Sequence, residues 1–194
     1  ALYGAGLADA LGFALAPGVA HAIPGGVLYG DPRLAAMGLR GVVDDEGLAW
    51  LRGRGLAEGS AADWDRMRIS AGVPDGSRDL PVEKAILLEN GFDELNGLDW
   101  AKGCYIGQEL TARTRYRGLI RKRLLPVTID GPAPGPEADV TSEGKPVGTL
   151  RSVAGDRGLA LLRLEALDGP LTAGDARLRP QVPDWVRLPA TSAG

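Results

Sequence analysis

The stretch most able to do chemistry is Lys102-Gly103-Cys104-Tyr105-Ile106-Gly107-Gln108-Glu109, followed by Thr111-Ala112-Arg113. Cys104 is the only cysteine among 194 residues. Lysine and arginine stabilise a thiolate, and the N-terminal end of a helix adds to that. Gly103 and Gly107 remove side chains on either side of the thiol, so a ligand or a second backbone can approach. This is the setting of a reactive or ligating thiol. The competing reading is a small buried hydrophobe, the usual fate of a lone cysteine.

The same region is electrically distinct. Between Lys102 and Arg123 there are seven basic residues and one acid, a local charge of +6 in a chain whose total is −3. The stretch from Arg113 to Arg123 has two main readings. It is a solvated, charge-bearing edge strand, or it is an anion site in which arginine forks grip carboxylates. A partner protein or an RNA backbone is a third reading, with direct nucleic-acid binding the weaker half of it because few aromatics interleave the cations and the overall pI is acidic, about 5.3.

The counts also exclude chemistries. One cysteine cannot form an internal disulfide. One cysteine and one histidine cannot complete a zinc or iron–sulfur site within one chain, so no metal site is expected from this chain alone. His21, among Ala20, Ala22 and Ile23, reads as a structural imidazole. No apolar run is long enough to span a membrane. A first residue other than methionine suggests that the natural N-terminus lies further upstream.

These residues need elements to position them. Val27–Tyr29 and Leu39–Val43 read as strands around a turn at Gly30-Asp31-Pro32-Arg33. Leu48, Leu51 and Leu56 give the run from Asp44 to Glu58 a rough helical spacing, weakened by three glycines. Asp44-Asp45-Glu46 and the Asp63/Asp65 pair read as caps or solvated acids. Ser60 with Asp63 reads as a capping pair for a helix that carries Trp64 and stops at Ala71-Gly72-Val73-Pro74. Pro81 reads as the first residue of a helix running through Glu83, Ile86 and Asn90 to Gly91. Tyr105 to Arg113 reads as a short helix. After residue 118 the pattern turns to strands, at Leu119-Ile120, Leu124–Ile129, Lys145–Val153, Arg157–Leu164 and Ala176–Arg179. The expectation is an α+β domain over 1–117, incomplete at its N-terminus, and a small antiparallel β-barrel over 118–194.

KGCYIGQE, followed by Ala112-Arg113, Tyr116-Arg117-Gly118 and Arg121-Lys122-Arg123-Leu124, resembles the signature of the YgfZ family. These are folate-binding proteins related to the aminomethyltransferase (T-protein) of glycine cleavage. ELTARTRYRGLIRKRLLPV, GLALLRLE and VPDW are similar to the mitochondrial branch, which supports maturation of [4Fe–4S] proteins. The resemblance runs from Asp31-Pro32-Arg33 to Trp185. It implies ferredoxin-like α+β portions of an aminomethyltransferase-like fold, with a C-terminal barrel, around a folate pocket.

Carried over residue by residue, the resemblance implies that Trp64 lines a pterin site, where a flat ring can stack. The plain alternative is a core anchor of its helix. Glu83 resembles the glutamate that holds pterin NH groups, and could equally be an acid at a helix N-terminus. Arg117 belongs to the basic stretch and would meet a folate carboxylate. Lys102, Gly103, Cys104, Tyr105, Gly107, Gln108, Glu109 and Arg113 match the signature directly, with Cys104 as the functional thiol. The implied cofactor is tetrahydrofolate or a derivative. A transient iron–sulfur cluster would need ligands from a partner as well. The implied partners are iron–sulfur assembly proteins or client enzymes. Classical turnover is not the expectation. An aminomethyltransferase and a folate-free interaction module are the alternatives. Composition leans to a bacterial cytoplasm, with the mitochondrial matrix as the eukaryotic alternative.

Overall fold

The computed structural model describes residues 1–118 and 120–189, folded as two compact units that meet in sequence after Met67. Leu119, part of one expected strand, lies outside the described residues.

The first unit opens with α1 (Leu7–Leu11). An antiparallel sheet follows, β1 (Ala20–Ile23), β2 (Gly26–Gly30) and β3 (Leu39–Val43), in that order. The two expected strands are present. The histidine segment adds a third, with His21 opposite Leu28 and its ring stacked on Phe13 at 4.0 Å between centroids. Next comes α2 (Asp45–Arg52), capped by Asp44, whose carboxylate accepts from the Gly47 amide at 3.1 Å. Leu7, Leu11, Leu28, Leu39 and Leu51 form the core. The helix α3 (Ala61–Ser70) starts with the expected capping pair. Asp63 N–H donates to Ser60 Oγ at 3.1 Å, and Ser60 N–H donates to the Asp63 carboxylate at 2.9 Å. The Ser60 amide and hydroxyl hold the Asp63 carboxyl below its ordinary range.

In the second unit the expected helix from Pro81 is absent. Residues 82–84 form a turn, and only Leu87–Asn90 winds, as a short 3-10 segment. Glu83 has φ 62°, a left-handed conformation that a right-handed helix cannot include. Ile86 is extended, at φ −90° and ψ 113°. The predicted stop at Gly91 does hold, with φ 79°. The helix expected from Tyr105 is α4 (Gln108–Tyr116), displaced because Gly107 turns left-handed at φ 88° immediately before it.

The barrel is closed and antiparallel. Its strands are β4 (Lys122–Asp130), β5 (Asp139–Ser142), β6 (Lys145–Ala154), β7 (Arg157–Arg163), β8 (Leu171–Ala173) and β9 (Ala176–Pro180). The order around it is β4-β7-β6-β5-β8-β9, closed by β4 against β9. Val127, Ile129, Val140, Leu150, Leu162, Leu171 and Leu178 fill the interior. On another face of the barrel, Leu124 and Leu159 pack against Ile69 near the end of α3.

Two buried ion pairs fasten the preceding segment to the barrel. Arg68 donates to Asp79 Oδ2 at 2.7 Å, to the Val73 carbonyl at 3.2 Å and to Ser152 Oγ at 2.7 Å. Asp79 also accepts from the Asp75 amide at 2.7 Å and the Ser152 amide at 2.9 Å. Ser152 lies in β6 where the register against β7 shifts, between Leu150 and Val153, so a strand irregularity re-aims it. In the second pair, Arg123 donates to Glu94 at 2.6 Å and to the Leu88 carbonyl at 2.8 Å. Arg123 is 1% exposed.

That burial corrects the single-surface reading of the basic stretch. Arg113 and Arg115 lie on α4, Arg123 is inside the unit, and Lys122 and Arg123 open β4 opposite Arg163 and Leu162 of β7.

Removing one partner of a buried pair strands a charge at a cost of about 3–5 kcal/mol. Asp79→Ala is therefore expected to lower the unfolding free energy of the second unit by that order in urea titration. Glu109→Ala breaks only an exposed pair with Arg113 and should change it by about 0.5 kcal/mol or less. Equal effects of the two substitutions would refute the assignment.

Candidate functional site

The signature residues form an exposed approach to α4. Cys104 is a free, exposed thiol. Gly103 and Gly107 both have φ 88°, and a side chain at either would meet nothing within 4 Å. Their glycines thus answer to backbone conformation, and the space beside them is open, as the sequence suggested. The buried-hydrophobe reading of Cys104 does not hold. Next to the thiol, Gln108 Oε1 accepts from the Tyr105 amide at 3.2 Å and the Lys102 ammonium lies 5.0 Å from the Tyr105 ring centre, while Trp100 earlier in the loop donates to Asp93 at 2.6 Å. Glu109 and Arg113 pair along the exposed side of α4. Arg117 is exposed just past its end. Thr111 and Thr114 are buried, and their hydroxyls donate back to the carbonyls of Gly107 and Leu110.

Trp64 belongs to the first unit, where it lines a cavity of about 1020 Å³ with Tyr3, Leu28, Arg40 and Leu51 among its walls. The Tyr3 and Trp64 rings are tilted at 53° with centroids 5.8 Å apart, and the Arg40 guanidinium lies 5.7 Å from the Trp64 ring centre. Arg40 is held by Asp31, which is fully buried and accepts from Arg40 Nε at 3.0 Å and from Arg33 at 2.7 and 2.9 Å. Burial opposes ionisation of Asp31, but the Arg33 and Arg40 contacts prevail and hold its carboxyl below the ordinary range. Sequence reasoning missed Tyr3 and Arg40. The available signal was Arg40 in a strand that faces the Asp31-Pro32-Arg33 turn.

Glu83 lies on an exposed turn and lines neither this cavity nor the groove beside α4. No helix begins there, so its helix-terminus reading falls away. Of the three residues implied for folate, Trp64 alone lines the cavity; Arg117 and Glu83 belong to the other unit. Among the described residues, no three of His, Cys, Asp and Glu come together as metal ligands, and no helix is long and apolar enough to cross a membrane.

Residues 121–188 match the family model of the CAF17 C-terminal beta-barrel domain. The mitochondrial iron–sulfur cluster assembly factor IBA57 of Mus musculus is 44% identical over 170 residues, and that of Homo sapiens 45% over 169. Each match takes in 82% of this chain and 47% of the relative. The IBA57 homologue of Dictyostelium discoideum is 42% identical over 102 residues, 51% of this chain and 25% of its own. The chain is a homologue of the IBA57 assembly factors.

It spans about half the length of the mouse and human proteins. The expected family, its mitochondrial-type branch and the C-terminal barrel therefore stand. The relatives' names place those proteins in mitochondria, the eukaryotic alternative of the sequence reading; the lean to a bacterial cytoplasm gains no support.

The Asp31 contacts set a pH dependence. Its folded carboxyl is depressed, so its stabilisation is complete above the unfolded value near pH 4 and is lost as pH falls through the lower folded value. Asp31→Asn is expected to destabilise the first unit at pH 7 by about 2 kcal/mol and to flatten its acid slope. Thermal melts between pH 2 and 7 check this. An unchanged slope would show that another carboxylate governs it.

Proposed function

We propose that this chain is a folate-binding accessory protein in the assembly of iron–sulfur proteins, with Cys104 as a working thiol. The observation that carries the reading is homology to iron–sulfur assembly factors across 82% of the chain.

Exposure of Cys104 suits a ligand that must be shared. A cluster needs several thiolates or equivalent ligands, and one side chain supplies one. The cluster is cargo in this scheme, and the protein's part is to present a thiol from an open loop. Folate would supply one-carbon or redox chemistry when bound. The first-unit cavity offers Trp64 and Tyr3 as apolar ring faces and Arg40 as a cation for a carboxylate. Asp31 keeps that guanidinium in place.

Two measurements on the complete gene product test the two parts. Cys104→Ser is expected to abolish activation of a [4Fe–4S] client enzyme in cells while leaving the melting temperature unchanged; undiminished activation removes the thiol from the function. Tetrahydrofolate is expected to quench tryptophan fluorescence saturably, and Trp64→Leu to remove most of that quench. A linear, unsaturable response in the unsubstituted protein would sink the folate part alone.

A further inference from the structure

Beside the thiol lies an uncovered apolar surface that neither the fold nor a thiol requires. Ile106 is 103% exposed, Tyr116 81% and Leu110 58%. Scattered exposed apolar residues are ordinary, but a contiguous set marks an interaction surface. Two of them, Ile106 and Leu110, line one groove. A hollow of about 180 Å³ is lined by Ala85, Ile86, Leu87 and Leu88 on one side and by Tyr105, Ile106, Leu110 and Thr111 on the other. Its size suits one or two inserted side chains.

The charge beside it that no carboxylate offsets is positive. Leu110 and Arg113 on α4 and Arg117 at its C-terminal cap stand at i, i+3 and i+7, a single stripe along the helix, and Ile106 lines the same groove ahead of the helix. At 1.5 Å per residue, Arg117 lies about 10 Å along the axis from Leu110. Glu109 is paired with Arg113, and Asp93 with Arg115. Among the described residues no carboxylate pairs with Lys102, Arg117 or Arg121, and all three are exposed. A second copy meeting it through the same face would bring like charges together, and RNA would leave the apolar groove unused.

We propose that the groove beside α4 is the docking site of an acidic protein, which seats an apolar side chain between Leu88 and Leu110 and sets carboxylates about two helical turns away against Arg117. The surface stands on its own geometry; that the partner belongs to iron–sulfur assembly rests on the reading above. Docking here would bring the partner's ligands to the exposed Cys104 in the adjoining loop.

The test is a photo-crosslinking amino acid, benzoylphenylalanine, placed at position 106 of the complete gene product in its own cells, with position 42 as a control. Val42 is 70% exposed but lies on β3 in the first unit. The expected result is a discrete adduct from position 106 alone, with a protein of acidic pI identified by mass spectrometry. Its yield should fall at least fivefold with Arg117→Glu and again with Leu110→Asp, while circular dichroism melts stay unchanged. Cys104→Ser should leave the adduct in place, which separates this surface from the thiol's role. No adduct, adducts only with a second copy, lipid or nucleic acid, or an adduct indifferent to Arg117→Glu would overturn the proposal.

Discussion

The second unit depends on the buried pair of Arg68 and Asp79. Taking two charges out of water costs several kcal/mol each, and their attraction offsets this only if the remaining donors and acceptors are satisfied. Here the pair sits in a shared set of bonds. Arg68 reaches Asp79, the Val73 carbonyl and the Ser152 hydroxyl, while Asp79 also receives the Asp75 and Ser152 amides. The arrangement requires three things together: an end to α3, a tight turn at residues 75–79 and a register shift in β6. Failure of any one would leave a charge unpaired. The pair therefore fixes where the chain leaves α3 and how that exit meets the barrel.

From that anchor the chain runs to the second buried pair, Arg123 with Glu94, which also takes in the Leu88 carbonyl. Trp185 supports the same region. Its indole donates to the Ala71 carbonyl at 2.9 Å, and its ring lies so close to Gly91 that a Cβ there would stand 3.0 Å from it. The segment carrying Leu87 to Glu94 is thus gripped by the barrel, and α4 packs its threonine face inward. The loop bearing Cys104 is anchored at Trp100, whose indole donates to Asp93 at 2.6 Å and whose ring centre lies 4.1 Å from the Arg115 guanidinium; nearer the thiol it is held by the Gln108–Tyr105 hydrogen bond and the Lys102 cation beside the Tyr105 ring. A firm base with a lightly held tip suits a thiol that must meet ligands from outside its own chain.

The parts of the fold that could be read in the sequence are those decided locally. Ser60 with Asp63, Asp44 before α2, the stop at Gly91 and the longer barrel strands each follow from neighbours within a few positions. What escaped reading depends on distance. Arg68 and Ser152 are 84 residues apart, and nothing near either one announces the other. Pro81 resembles a helix start, but Glu83 turns left-handed and the backbone at Ile86 is extended. β5 and β8 have four and three residues, too few for alternation to show. The basic run misled for a related reason. A count of charges takes Arg113 to Arg123 as one surface, whereas a helix end and a change of element send Arg123 inward and leave Arg117 outside. At the site, the thiol and its glycines were legible as a motif, and the openness around them as a consequence of glycine. The cavity of the first unit was legible only at Trp64, because Arg40 enters it through a buried partner nine positions earlier.

The lone cysteine gives the site its logic. A single thiolate cannot enclose a cluster, so any role with iron and sulfur requires the thiol to stay accessible while other ligands arrive. Accessibility has a physical cost: an exposed thiol invites oxidation, and exposed Ile106, Leu110 and Tyr116 invite nonspecific association. Burial of the thiol would avert the first hazard, and polar residues at positions 106, 110 and 116 would avert the second. The structure has neither. The open thiol, the open apolar groove and the uncompensated cations adjoin one another, and covering the groove with a partner would shield all three at once. On that view the liability and the function have the same origin, since the surface that is unfavourable in the free protein is the one that completes the site when occupied.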